Sequence, residues 1–135
     1  KSHGASAALE FAVLGLGVTS IVVMGHGRCG GVAAALDPES RLTDTDFIGA
    51  WVADLKTLDE RTPASSASGP EERQRLIEHL SVQQSLEHLR TFPWIAERVA
   101  SGSLTLHGAW FDISLGELHA LSGTSWHPQP YEQVG

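Results

Sequence analysis

Residues Val18 to Leu36 read VTSIVVMGHGRCGGVAAAL, and the fold turns on how this stretch divides. Val18–Met24 is short, apolar and rich in β-branched side chains, which predicts a strand covered on both faces, as in a parallel sheet. Gly25–Gly31 is glycine-rich and predicts a tight turn. Val32–Leu36 predicts the start of a helix, stopped at Asp37-Pro38. Strand, turn and helix in that order form part of an α/β unit. The single cysteine of the chain, Cys29, falls in the turn at the predicted helix N-terminus. The peptide dipole there and the neighbouring Arg28 favour a thiolate, and the glycines leave space beside the sulfur.

Three uses of that thiol fit the local pattern. His26-x-x-Cys29 places an imidazole and a thiolate on one turn, a bite that suits one face of a tetrahedral zinc ion, which needs at least one further protein ligand. Gly27-Arg28-Cys29-Gly30-Gly31 also matches a nucleophile elbow, with Asp112 and then His119 or His127 in the chain order of a triad. The third use is a small buried side chain with no chemistry. A phosphate loop is excluded, because no Lys-Ser/Thr pair follows the glycines.

Outward from the turn, Ala5–Leu14 predicts a helix ended by Gly15 and Gly17. Asp46–Leu58 predicts an amphipathic helix, and Glu71–Leu89 a longer one with Leu76, Leu80 and Leu86 on its apolar stripe. Between them, Thr62–Pro70 reads as a flexible loop. Trp94–Ala100 predicts a short helix with Pro93 in its first turn. Leu104–Ile113 alternates like a strand, and Glu117–Leu121 is its hairpin partner. The tail from Ser122 reads as irregular. Trp51, Trp94, Trp110 and Trp126 read as core or interface anchors.

The 135 residues suit one domain, 1–135. A net charge of −7 argues against nucleic acid or an anionic membrane as partner. One cysteine cannot form an internal disulfide, so a reducing cytoplasm is the expected location. The order of elements implies α/β with too few strands for a complete sheet, as though strands were missing before Lys1.

Two stretches in the right order resemble the β-class carbonic anhydrases. SAALEFAVLGLGVTSIVVMGHGRCGGVAAAL is similar to that family's helix, strand and G-H-S-x-C-G-G loop. SVQQSLEHLRTFPWIAERVASGSLTLHGAWFDISLGELHAL is similar to its long helix and L-H-G-W hairpin. The resemblance runs from about His3 to about Leu121, with Gly27 where the family has Ser or Thr and Ser81 where it often has Asn. It implies an α/β fold with a mainly parallel central β-sheet flanked by helices. It implies zinc, Zn(2+), held by two Cys and one His and used for the reversible hydration of carbon dioxide to bicarbonate. His26 and Cys29 match two of those ligands, while Gly30 and Gly31 would leave room for the small substrate. It also implies a homodimer or higher homo-oligomer.

The family's first cysteine ligand lies upstream in a C-x-D-S-R motif whose Asp-Arg dyad orients the site, and these 135 residues contain no such motif. The expectation is therefore a C-terminal two-thirds of such a domain, N-terminally truncated. It would hold two zinc ligands and no catalytic dyad, and would be inactive or nearly so by itself. The hydrolase built on Cys29 and a non-catalytic remnant are the alternatives.

Overall fold

A computed structural model of the chain describes residues 3–131. Helix α1 (Gly4–Glu10) passes into a wider turn over Phe11–Gly15, and Gly17, at φ 64°, takes the left-handed conformation that lets the chain turn away. Strand β1 (Ser20–His26) follows, then α2 (Gly30–Leu36), α3 (Ile48–Arg61), α4 (Pro70–Leu89) and α5 (Pro93–Ser101). The chain closes with β2 (Thr105–Asp112), β3 (Glu117–Ser122) and β4 (Ser125–Pro128).

These strands form one sheet in the order β1-β2-β3-β4. β1 pairs with β2 in parallel, and the return from one to the other is the helical crossover such a pair requires. β2–β3 and β3–β4 are antiparallel, so the described sheet is mixed, with helices packed against it. Among the described residues no helix is long and apolar enough to cross a membrane.

The core lies between the sheet and α4 and α5. Val13, Val82, Leu86, Leu89, Ile95 and Leu104 bury themselves there, with Ile21 and Val23 of β1 packed on them. The buried stripe of α4 is Ile77, Glu78, Val82, Leu86 and Leu89, displaced from the expected one, and it includes a carboxylate. β1 is half-covered rather than covered on both faces: Val22 and Met24 are 59% and 65% exposed, because nothing in the described chain packs on that side. The expected irregular tail contains a strand, β4, reached through a turn at Gly123 with φ 63°. Residues 132–135 of that tail lie outside the described residues.

The loop expected to be flexible is pinned. Arg73 donates from Nε and Nη2 to Asp59 Oδ1 at 2.8 and 2.6 Å, and to the carbonyls of Thr62 and Pro63 at 2.9 and 2.8 Å. One guanidinium therefore ties the end of α3 to the start of α4.

His79 of α4 stacks on Trp126 at 4.5 Å between ring centroids and meets Trp110 edge-on at 4.6 Å. Burial, and then the charges of His119 and Arg75, lower its pKa to about 4. In the unfolded chain the imidazole takes its proton near pH 6.5, so between these values unfolding takes up a proton. Stability is expected to be full above about pH 6.5 and to fall as pH drops towards 4. Urea denaturation across that range would show it, with a shallower slope in His79→Phe.

Candidate metal centre

The parallel pairing of β1 with β2 continues to its last residue, His26, which lies opposite Phe111. Gly27 N–H then donates to Phe111 O at 2.8 Å, which fixes where the chain leaves the sheet. The turn thus begins at the carboxyl end of a parallel strand, the usual position for ligand sites in α/β folds. Arg28 sits in the left-handed region at φ 54°, costly for a residue with a Cβ. Cys29 is extended and is the N-cap residue of α2, its carbonyl accepting Ala33 N–H at 2.9 Å.

His26 Nδ1 lies 2.9 Å from Gly27 O. A carbonyl only accepts, so Nδ1 is the donor of this bond, which leaves Nε2 as the nitrogen that could hold a metal. A backbone carbonyl thus orients the ring, as the outer partner of a metal-ligating histidine does. His26 and the free thiol of Cys29 both line a cleft of ≈ 380 Å³, together with Val32, Trp51, Asp54, Glu78 and Ser81. The expected pair of donors therefore faces one space. Among the described residues no group of three His, Cys, Asp or Glu gathers as a metal would require.

Gly30 and Gly31 open α2, where the helix offers its own amides no acceptor. A Cβ at Gly30 would meet nothing within 4 Å. One at Gly31 would lie 2.9 Å from the Trp51 ring and 3.8 Å from Cys29 Sγ, so Trp51 forms a wall close to the thiol. A Cβ at Gly25 would lie 2.9 Å from Cγ2 of buried Val82. Val82 is β-branched and stiff, so Gly25→Ala is expected to cost about 1–3 kcal/mol of stability while Gly30→Ala stays within about 0.5 kcal/mol. Chemical denaturation of the two variants checks the contrast.

The nucleophile triad is not assembled. Asp112 Oδ1 accepts the amides of Ser114 and Leu115 at 2.9 and 3.2 Å and so caps the hairpin turn. His127 is on β4, three strands from β1 and hence roughly 14 Å away across the sheet. His119 lies against Trp110, the centroids 5.3 Å apart, and its Nε2 is 2.8 Å from Glu117 Oε1.

Glu78 escaped the sequence reading. It is 3% exposed and its carboxylate accepts the Cys29 N–H at 3.0 Å, Gln74 Nε2 at 3.1 Å and the Trp110 indole at 3.2 Å. The signal available was an acidic residue on the buried face of a helix, which calls for partners.

The carbonic anhydrase family profile matches residues 1–118. β-carbonic anhydrase 5, chloroplastic, of Arabidopsis thaliana is 41% identical over 108 residues, covering 79% of this chain and 36% of that protein. The solved structure of the β-carbonic anhydrase CcaA superposes with a TM-score of 0.83 at 25% identity, over 96% of this chain and 64% of that one. A tetrameric β-carbonic anhydrase from Sordaria macrospora gives 0.80 at 31% identity, over 90% and 61%. The chain spans 36%, 38% and 55% of the length of three curated relatives it matches.

Proposed function

Since the chain belongs to the carbonic anhydrase family, and by its relatives to the β class, we propose that it serves the reversible hydration of carbon dioxide to bicarbonate at a zinc ion held in part by His26 and Cys29. The observation that carries this reading is the pairing of the two donors: one turn presents both to one cleft, and the proton on His26 Nδ1 is already committed to Gly27 O.

Zinc, when bound, supplies the Lewis acidity that lets water act as a nucleophile at neutral pH. His26 Nε2 and Cys29 Sγ are the atoms that would hold it. Gly30 leaves open space at the start of α2, Gly31 makes room for the Trp51 ring, and the first-turn amides of α2, which have no acceptor within the helix, would be offered to an anionic product. Trp51 and Val32 line the cleft with apolar surface, suited to an uncharged substrate. Among the described residues no third protein donor gathers beside them, so these two would hold zinc only weakly, and the 135-residue chain assayed alone would hydrate carbon dioxide weakly or not at all. The lone thiol fits a reducing compartment such as the cytoplasm. Assembly of several copies is part of the proposal, supported by the tetrameric relative and by exposed Phe47 and Trp51.

The test is a zinc titration of the dialysed chain against a chromophoric chelator. One weak site per chain, held by these two protein donors and lost in His26→Ala and in Cys29→Ser, is expected. No zinc uptake, or uptake untouched by either substitution, overturns the reading.

A further inference from the structure

We infer that Glu78, with Gln74 one turn earlier on α4, is a positioning residue: the pair clamps the peptides on both sides of Cys29 and so aims the thiol into the cleft it shares with His26. What the thiol is for rests on the zinc reading above. The clamp itself is read from contacts within the chain.

The Arg28–Cys29 peptide presents its N–H to Glu78 Oε2 at 3.0 Å. The Cys29–Gly30 peptide presents its carbonyl to Gln74 Nε2 at 3.3 Å, and that same Nε2 donates to Glu78 Oε2 at 3.1 Å. Gln74 and Glu78 are four residues apart on α4, so their side chains lie one above the other and work on one spot. Trp110 of β2 holds the second carboxylate oxygen at 3.2 Å. The carboxylate is thereby fixed between helix and sheet before it touches the turn. These bonds occupy Glu78, which accounts for a carboxylate at 3% exposure and keeps it from serving as a metal ligand itself.

The turn needs such a hold. Arg28 is left-handed at φ 54°, a conformation that persists only where neighbours over-determine it. The N–H that Glu78 takes belongs to the peptide whose direction Arg28 sets. Glu78 lines both the cleft of His26 and Cys29 and the cleft of Gly27 and Arg28 behind it, so it stands under the turn. A glutamine of the same shape has one acceptor oxygen. Turned to the side with two donors, Cys29 and Gln74, it would keep the clamp and set its NH2 against the Trp110 indole.

The experiment uses the 135-residue chain without metal. Amide exchange of Cys29 is read by NMR against the amide of Ile95, which reports global opening, and the thiol is alkylated with iodoacetamide at one fixed pH. In Glu78→Ala, Cys29 exchange is expected to quicken about tenfold relative to Ile95, the scale of one lost hydrogen bond, with alkylation several times faster. Glu78→Gln should restore protection of Cys29 to near the wild-type rate. Zinc affinity should fall roughly 10–100-fold in Glu78→Ala, as for loss of an outer-shell partner. Cys29 exchange that tracks Ile95 in Glu78→Ala would overturn the clamp and leave Glu78 a general packing residue. If Glu78→Ala does not fold, Gln74→Ala decides by the same two rates, with no change in either as the overturning result. A wild-type chain that takes up no zinc sinks the zinc reading alone, since exchange and alkylation are measured without metal.

Discussion

Replacing Cys29 by serine is expected to weaken zinc binding by roughly 100-fold or more, beyond the 10–100-fold that losing an outer-shell partner costs. The serine hydroxyl is nearly the size of the thiol, so the turn keeps its shape and the loss falls on chemistry. At neutral pH a serine stays protonated and offers a poor donor, while a cysteine gives up its proton on binding zinc and is a strong one. The backbone of residue 29 is held by the Glu78 and Gln74 side chains and the Ala33 amide, none of which involves the sulfur, so circular dichroism should remain that of wild type. Cobalt in place of zinc gives a second readout: a thiolate-to-cobalt charge-transfer band in wild type, absent from Cys29→Ser. A serine variant that binds zinc as tightly as wild type would remove Cys29 from the ligand set.

What was legible in the sequence is what local chemistry determines. The β-branched run, the glycines and the alanine-rich segment each specify their own backbone, so strand, turn and helix could be read in order around Cys29. Cys29 lies at the helix start as that reading expects, whereas His26, expected within the turn, is the last residue of β1, which runs two residues past the expected end at Met24. The hairpin of β2 and β3 was legible for the same reason, with Gly116 at φ 64° in its turn.

What was missed depends on residues far apart in the chain. Glu78 makes sense only against the amide of Cys29, 49 positions earlier, and the indole of Trp110, 32 positions later. Without those partners a carboxylate reads as solvent-facing, which displaced the expected stripe of α4. β4 was missed because Ser125–Pro128 is short and ends in proline, a weak strand by propensity. Its pairing with β3 is a property of the sheet edge. Likewise β1 reads as covered on both faces from composition, but the side bearing Val22 and Met24 is covered only if something packs there.

The largest loss of stability is expected at Ile95. It is 0% exposed and sits among Val13, Val82, Leu86, Leu89 and Leu104, where α5 meets the sheet and α4. Ile95→Ala removes three buried carbons and leaves a cavity, at a cost of about 2–5 kcal/mol. The upper part of that range is expected, because the backbone cannot follow the lost side chain inwards. Pro93 opens α5, and Phe92 O accepts the amides of Ile95 and Ala96 at 3.0 and 2.9 Å, which fixes the first turn. The midpoint of thermal unfolding should drop by roughly 10 °C, with the urea m-value unchanged. Trp51→Ala removes a larger side chain but one that is 71% exposed, so its cost should stay near about 0.5 kcal/mol. The two variants thus separate core from cleft wall: stability is lost at Ile95, whereas Trp51→Ala widens the space beside Cys29 and should speed alkylation of its thiol. A loss at Ile95 below about 1 kcal/mol would mean that α5 collapses into the gap, contrary to the fixed first turn.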